Sequence, residues 1–313
     1  MLRSKLKGFD TPATAACLGA LVCWSLGPLF IRFLTSYVDV WTQNMLRYTA
    51  ASLLWLPFVL YSARKGTITR RLWLIALGPA AVNIAMQTFW AASFYYLEPA
   101  FMVLLTKTSI IWIAAFSITF FPDERGLIRS RSFWTGAVLS ILGVGGVLFF
   151  KGDFGTSDIV KGIVIGLTAS LLWALYTISV RIAFRKVDSR SGFGVLSIYT
   201  VAGLWVLAFV FGKPGECFEM AAKPWMAMII SGLFSIGLSH VLYYSAIRRI
   251  GATIPSLVLL VQPFIILAIS RVVFAESING LQGIFGVILL SGSAFSILAQ
   301  QNLRKSNNLT KSS

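Results

Sequence analysis

Ten apolar runs, each close to the length a helix needs to cross a bilayer, constrain this chain more than any other feature of its sequence. They cover residues 13–34, 41–61, 72–96, 99–121, 133–150, 159–180, 193–212, 225–246, 252–275 and 280–299. A helix spans the hydrocarbon core with about 20 residues. Lipid offers no partner to an exposed peptide group, so such runs must be helical unless they alternate like the strands of a closed barrel. No alternation is present. The expected fold is an all-α polytopic membrane protein with ten transmembrane helices. Composition agrees: 57% of the 313 residues are hydrophobic and 12% are charged, about half the charge of a soluble domain. The segment Met1–Lys7 is basic and precedes an apolar run. That run is too long for the core of a signal peptide, and the first helix is expected to be retained.

The formal net charge is +16. In a soluble protein that would suggest nucleic acid. Here the basic residues lie in short loops between apolar runs, where they set topology, and no nucleic-acid partner is expected. Nineteen of the 27 Lys and Arg fall at one end of the alternating spans, in clusters such as Arg64–Lys65–Arg70–Arg71 and Arg181–Arg185–Lys186–Arg190. Six fall at the other end, and Arg47 and Lys107 lie inside spans. Both termini are therefore expected in the cytoplasm. Cys17, Cys23 and Cys217 form neither a disulfide framework nor a metal-site spacing. Cys217 is expected outside, open to an impermeant thiol reagent.

The chain also repeats itself. Trp24-Ser25-Leu26 with Arg32 matches Trp173-Ala174-Leu175 with Arg181 at one offset. Ala100 and Glu124 match Ala252 and Glu276 at a nearly equal one. Each half, 13–150 and 159–299, holds five spans, and a polar cytoplasmic tail covers 300–313. Two halves with an odd number of spans must be inverted relative to one another, an architecture that puts substrate near the membrane midplane.

These features together resemble the EamA-type transporters of the drug/metabolite transporter superfamily. The resemblance rests on the Trp-Ser/Ala-Leu segments of spans one and six, the Leu46-Arg47 step, and a glutamate after spans four and nine. It covers about Ala13 to Ala299. It implies a secondary carrier for small polar or amphipathic metabolites, usually an exporter, in the plasma membrane of a bacterium or archaeon, with no covalent cofactor. The chain departs from the family at Lys107, where an uncharged residue is usual.

Lys107 stands eight residues into span four, about 12 Å along the helix axis. A lysine at that depth costs about 2.5–3.5 kcal/mol to insert unless a partner or water offsets it. All eleven carboxylates fall in loops or at span ends. An anionic or zwitterionic substrate, such as an amino acid or another carboxylate-bearing metabolite, would supply the missing charge. Arg47 is a second intramembrane cation, placed to bind substrate or to cap neighbouring carbonyls. His240, the single histidine, is a packing residue or a proton carrier. Asn83, Gln87 and Trp90 recur on one face of span three, and Ser235 and Ser239 occupy the matching positions of span eight. Gln262 sits mid-span just before Pro263, whose missing N–H frees a carbonyl one turn earlier. Trp24, Trp173 and Tyr176 would add aromatic walls. The small-residue ridges Gly162-Gly166-Ser170 and Gly136-Ser140 suit close helix packing, within the chain or at the seam of a homodimer. An intramembrane enzyme needs clustered His, Asp, Glu or Ser groups at membrane depth, which the sequence does not offer. A receptor has no use for an inverted repeat. No Gly-Lys-Ser/Thr phosphate loop is present to power a pump.

Overall fold

The computed structural model describes residues 10–150, 157–185, 187–250 and 253–310. It is all helix and turn. The helices are α1 Thr11–Leu34, α2 Val40–Arg64, α3 Arg70–Ser93, α4 Pro99–Thr106, α5 Ser109–Phe120, α6 Arg131–Phe149 and α7 Ser157–Ala183. They continue with α8 Ser189–Phe211, α9 Ala222–Ile230, α10 Ser239–Ile250, α11 Thr253–Val258, α12 Gln262–Phe274 and α13 Gly280–Thr310. Asp10, Asp39, Thr69, Ser130 and Asp188 each cap a helix, their side-chain oxygens accepting first-turn N–H groups that the helix leaves unpaired. Large apolar side chains such as Leu18, Leu53, Val206 and Phe209 point outward, while Gln43, Asn44, Asn83 and Ser140 are buried. An apolar exterior around a polar-studded interior suits lipid as the solvent. The protein is an integral membrane protein.

Among the described residues, nine helical stretches are long and apolar enough to cross a membrane. The second of the ten expected runs, α2, has the length, 25 residues, but not the hydropathy. Thr42, Gln43, Asn44 and Arg47 dilute its first half, and all four are buried in the bundle.

The fourth and ninth runs are not continuous helices. The fourth breaks at Lys107 and Thr108, between α4 and α5. The ninth breaks into a 3-10 turn at Leu259–Val261, between α11 and α12. The eighth carries a π-helical stretch, Ser231–Leu238, between α9 and α10. There Gly232 lets the chain touch α2 directly, since a Cβ at Gly232 would strike the Arg47 carbonyl. The expected polar tail begins as a continuation of α13, which stays helical to Thr310. Ala252, one of the repeat matches, lies outside the described residues.

Every run packs on at least one run of the other half. The first run packs on the eighth, the third on the sixth, the second on the seventh, the fourth on the ninth and the fifth on the tenth. This set is unchanged when the first five runs are exchanged with the last five. The loops sort by end as the charge count requires. Asp39 accepts the Lys213 N–H at 2.9 Å, and Arg32 donates to the Phe94 carbonyl at 2.8 Å, all at the end poor in basic residues. At the opposite end Arg249 pairs with Asp10 at 3.3 Å.

Both small-residue ridges are spent inside the bundle. Gly162 and Gly166 face Tyr96, Leu97 and Met102. Gly136 and Gly143 on α6 meet Gly292 and Leu289 on α13, and a Cβ on Gly292 would sit 2.5 Å from the Ser140 nitrogen. Cys217 corrects another expectation. The turn Pro214–Glu219 folds its side chain inward against Leu34, Val38, Ala227 and Met228, where it is buried. Burial pushes its thiol pKa up, so it is shielded and poorly nucleophilic.

Candidate functional site

The two interrupted runs cross at the centre of the bundle, α4 packing on α12. Lys107, at the break of its run, donates from Nζ to Gln262 Oε1 at 3.0 Å and to the Leu259 carbonyl at 3.2 Å. Gln262 opens α12 and donates from Nε2 to the Trp24 carbonyl at 3.0 Å. Each of the two carbonyls stands four residues before a proline. An α-helical carbonyl accepts from the residue four positions on. For Leu259 that residue is Pro263, and for Trp24 it is Pro28, in the middle of α1. Neither proline has an N–H to give. Gln262 thus satisfies an acceptor that Pro28 left open, while the Leu259 carbonyl, in its 3-10 turn, accepts the Gln262 N–H as well as the Lys107 ammonium. The acceptors around Lys107 are neutral, and no carboxylate pairs with it among the described residues. Thr108, the other residue of the break, is held by α7 through Ser170 Oγ at 2.7 Å.

A layer of rings lies beside this crossing. Trp24 meets His240 edge-on at 5.3 Å and Tyr243 at 4.9 Å between centroids. His240 stacks on Phe193 at 4.9 Å. Its Nδ1 lies 2.7 Å from the Ile236 carbonyl. A carbonyl only accepts, so this nitrogen carries the proton and the ring is anchored to the π-helical stretch. Asn83 is turned to α8, donating to Thr200 Oγ1 at 3.0 Å. Gln87 is buried, and its side-chain amide has no hydrogen-bond partner among the described residues. Trp90 packs edge-on against Phe94 at 4.9 Å. Trp173 leans on the buried Tyr176 at 5.9 Å. The structure therefore brings Lys107, Gln262, Trp24 and His240 into one connected cluster. Trp173 and Tyr176 lie together on α7, and Asn83 serves the α3–α8 contact.

Arg47 belongs to a different polar group. It is 2% exposed, and its Nε donates to Ser231 Oγ at 2.8 Å, at the first residue of the π-helical stretch. Gln43 donates to the Ile31 carbonyl and Asn44 to the Gln87 carbonyl. Arg47 Nη1, Gln43 Oε1, Asn44 Oδ1 and Ser235 Oγ are buried without a hydrogen-bond partner among the described residues. Such a cluster is costly unless ordered water or another group completes it.

The model of the EamA-like transporter family matches the chain twice, over residues 11–149 and again over 160–298. The chain belongs to this family. Relatives of this EamA-like protein are described as uncharacterized transporters. One from Clostridium kluyveri is 25% identical over 76% of this chain and 75% of its own. One from Methanothermobacter thermautotrophicus is 31% identical over 50% of this chain and 46% of its own. One from Haemophilus influenzae is 20% identical over 98% of this chain and all of its own. A crystal structure with 17% sequence identity superposes with a TM-score of 0.62, covering 91% of this chain and 97% of that one. It shares the fold. The protein is a membrane transporter of the EamA type. No group of three or more His, Cys, Asp or Glu that could hold a metal ion occurs among its described residues.

Sequence reasoning missed three parts of this transporter's interior. The Trp24 carbonyl was legible from Pro28, by the same rule that flagged Pro263. Gln43 and Asn44 carried a signal as amides within an otherwise apolar run. Glu276 was read as closing a span, yet it is 1% exposed and crosses to the other half. Ala275 adopts a left-handed backbone, φ 55°, which turns the chain after α12. The Glu276 carboxylate then accepts the Ala100 and Phe101 N–H groups at the start of α4, and Ser270 Oγ donates to it. Burial raises the Glu276 pKa more than these hydrogen bonds lower it.

Proposed function

We propose that this protein is a secondary carrier that exports small carboxylate-bearing metabolites, amino acids among them, by alternating access. In this reading α2 is a tenth span. Residues 13–150 and 159–299 are two inverted halves, and both termini face the cytoplasm of a bacterial or archaeal cell. At the repeat offset that matches Glu124 to Glu276, the mate of Lys107 is Leu259. A residue that touches its own mate lies on the axis relating two inverted halves. Lys107 is then at the centre of rotation, where substrate sites of such carriers are found. One observation carries the substrate class. The Lys107 ammonium stands where two broken helices cross, held by neutral acceptors alone. A substrate carboxylate would form a stronger, charge-assisted bond than either and displace them. Gln262 and Trp24 would then be free to contact the rest of the substrate. His240, Trp90, Gln87, Asn83, Trp173, Tyr176 and Arg47 line or support the route around this centre. Counterflow in proteoliposomes tests the reading: matched carboxylates, amides and amines are offered to wild type and to Lys107→Ala. Preference for the carboxylate that vanishes in the variant is the expected result. Preference for the amine, or an unchanged carboxylate rate in the folded variant, would overturn it.

A further inference from the structure

The seam between the two halves passes through the polar group around Arg47. On α2, Arg47 stands one turn from Gln43 and shares a face with Asn44. Its Nε bonds to Ser231 Oγ, at the start of the π-helical stretch. Ser235, about one turn further along that stretch, faces Gly27 of α1, where a Cβ would lie 3.4 Å from Ser235 Oγ. Gln43 reaches α1 one turn away, at the Ile31 carbonyl. Arg47, Gln43 and Ser235 thus stand where three elements meet: α1 and α2 from one half, and the π-helical stretch from the other. Asn44 closes the group towards α3, at the Gln87 carbonyl. Carbonyls only accept, so these two bonds fix which end of each amide is nitrogen. The unmet atoms therefore have defined roles. Arg47 Nη1 is a donor, Gln43 Oε1 and Asn44 Oδ1 are acceptors, and the Ser235 hydroxyl can be either. No carboxylate pairs with Arg47 among the described residues. Trp24 precedes Gly27 by three residues on the same face of α1. The group accordingly lies beside the Lys107–Gln262–Trp24 crossing, nearer the end poor in basic residues.

We propose that this seam is a second substrate subsite, formed when the outer ends of the halves part, and that it takes the carboxylate and ammonium of an α-amino acid. The proposal rests on the carrier reading above and narrows its substrate class. The substrate carboxylate takes Arg47 Nη1 and the Ser235 hydroxyl. Its ammonium takes Gln43 Oε1 and Asn44 Oδ1. The unmet atoms select this ligand. A lone inorganic anion would answer Arg47 but face two amide oxygens. A metal cation would answer the amides but face a guanidinium. An α-amino acid carries an anion and a triple donor on one carbon and answers both, with charge-assisted bonds on each side. In this conformation the unmet atoms touch no solvent. Polar groups buried in that way destabilise the state that buries them. Rocking of one half against the other relieves the cost by opening the group to substrate. The π-helical stretch joins this subsite to the ring layer, since Arg47 bonds to its Ser231 and His240 to its Ile236 carbonyl. A carboxylate leaving Lys107 thus passes to Arg47 on its way out.

The test is half-saturation in counterflow with the full chain, purified and reconstituted. The standard L-amino acids are each compared with the acid that lacks the amino group, phenylalanine with hydrocinnamate for example. At least one pair should favour the amino acid about tenfold or more, the worth of a charge-assisted hydrogen bond. Gln43→Leu and Asn44→Leu keep the bulk and remove an amide oxygen, and each should narrow that ratio about threefold or more. The ratio is taken within one variant, so a loss of folded protein does not change it. Ser235→Ala removes only a hydroxyl. It should raise the melting temperature, because an unmet buried group is gone, and weaken the amino acid and its matched acid alike, about threefold. A hydroxyl that merely packs predicts the higher melting temperature with half-saturation unchanged, and that result would overturn the proposal. So would the absence of any pair that favours the amino acid, or a ratio undiminished in both Gln43→Leu and Asn44→Leu. Lys107→Gln separates the two readings. If it abolishes carboxylate counterflow while the ratio survives both amide substitutions, the carrier reading stands and the subsite falls. If it spares counterflow while the amide substitutions narrow the ratio, the central site falls and the subsite stands.

Discussion

Lys107→Gln isolates charge from hydrogen bonding at the crossing of the broken helices. Glutamine keeps a donor that can serve the Leu259 carbonyl or the Gln262 amide, the two present acceptors of Nζ at 3.2 and 3.0 Å. It removes the positive charge. Two effects on stability oppose one another. Each hydrogen bond lost from a charged donor costs about 1.5–3 kcal/mol. Removing a central ammonium relieves an insertion cost of about 2.5–3.5 kcal/mol. The terms are similar in size, so the variant should fold and express as wild type does. Binding has no such compensation, because a carboxylate at this point loses its charge-assisted partner. The same 1.5–3 kcal/mol becomes an affinity loss of about tenfold to a hundredfold for a carboxylate. For the matched neutral amide the change should stay within about twofold. Half-saturation in counterflow with purified, reconstituted protein measures both. Lys107→Arg should also be impaired, since a planar fork cannot occupy the position of a compact ammonium. If Lys107→Gln weakens acid and amide equally, the lysine acts as a strut between helices and the charge argument is refuted.

Pro263→Ala offers the Leu259 carbonyl an α-helical N–H in addition to the 3-10 bond from Gln262, and this competes with Lys107. It should slow transport about twofold to tenfold at normal expression, the worth of one net hydrogen bond, as initial rates per folded protein would show. Gly292→Leu drives a side chain into the α6 backbone and should sharply reduce the monodisperse fraction in detergent size-exclusion chromatography, whereas Gly280→Leu, with open space around it, should not. Burial raises the pKa of Asp39, but bonds from the Thr42 hydroxyl and the Lys213, Thr42 and Trp41 N–H groups outweigh it, leaving a net lowering. Its stabilising contribution is therefore present above the ordinary carboxylate pKa and is lost as pH falls through the lower folded value. Thermal melts below about pH 4 should show this loss, and Asp39→Asn, which still caps, should flatten it. For orientation, Lys223→Cys should react with an impermeant maleimide in intact cells and Lys65→Cys only after lysis, both positions being exposed. Cys217 should stay unlabelled in either case because it is buried.

Hydropathy was sufficient to read nine of the ten expected spans among the described residues, and charge gave an expectation for their two ends. Both act locally: lipid forces each apolar run to satisfy its own backbone, and basic loops sort by side whatever the helices pack against. Pro263 announced an irregularity in its run for a similarly local reason, because an absent N–H is a property of one residue; the 3-10 turn before it gives the Leu259 carbonyl the Gln262 N–H instead. The sequence likewise determined that Lys107 would lie at membrane depth without a carboxylate in its own run. It could not say which group would answer that lysine, since Leu259 and Gln262 come from a helix more than 150 residues away. Nor could periodicity reveal the breaks at Lys107–Thr108 and Leu259–Val261, where the backbone shifts to tighter i→i−3 bonds and the two runs meet through the Lys107 side chain. Cys217 is buried because a short turn folds over the end of α1, and no count of loop charges can report that. The Arg47 cluster and the contact of Glu276 with the start of α4 were decided in the same way. They depend on which helix faces come together, and that is set by close glycine contacts and shape across the whole bundle.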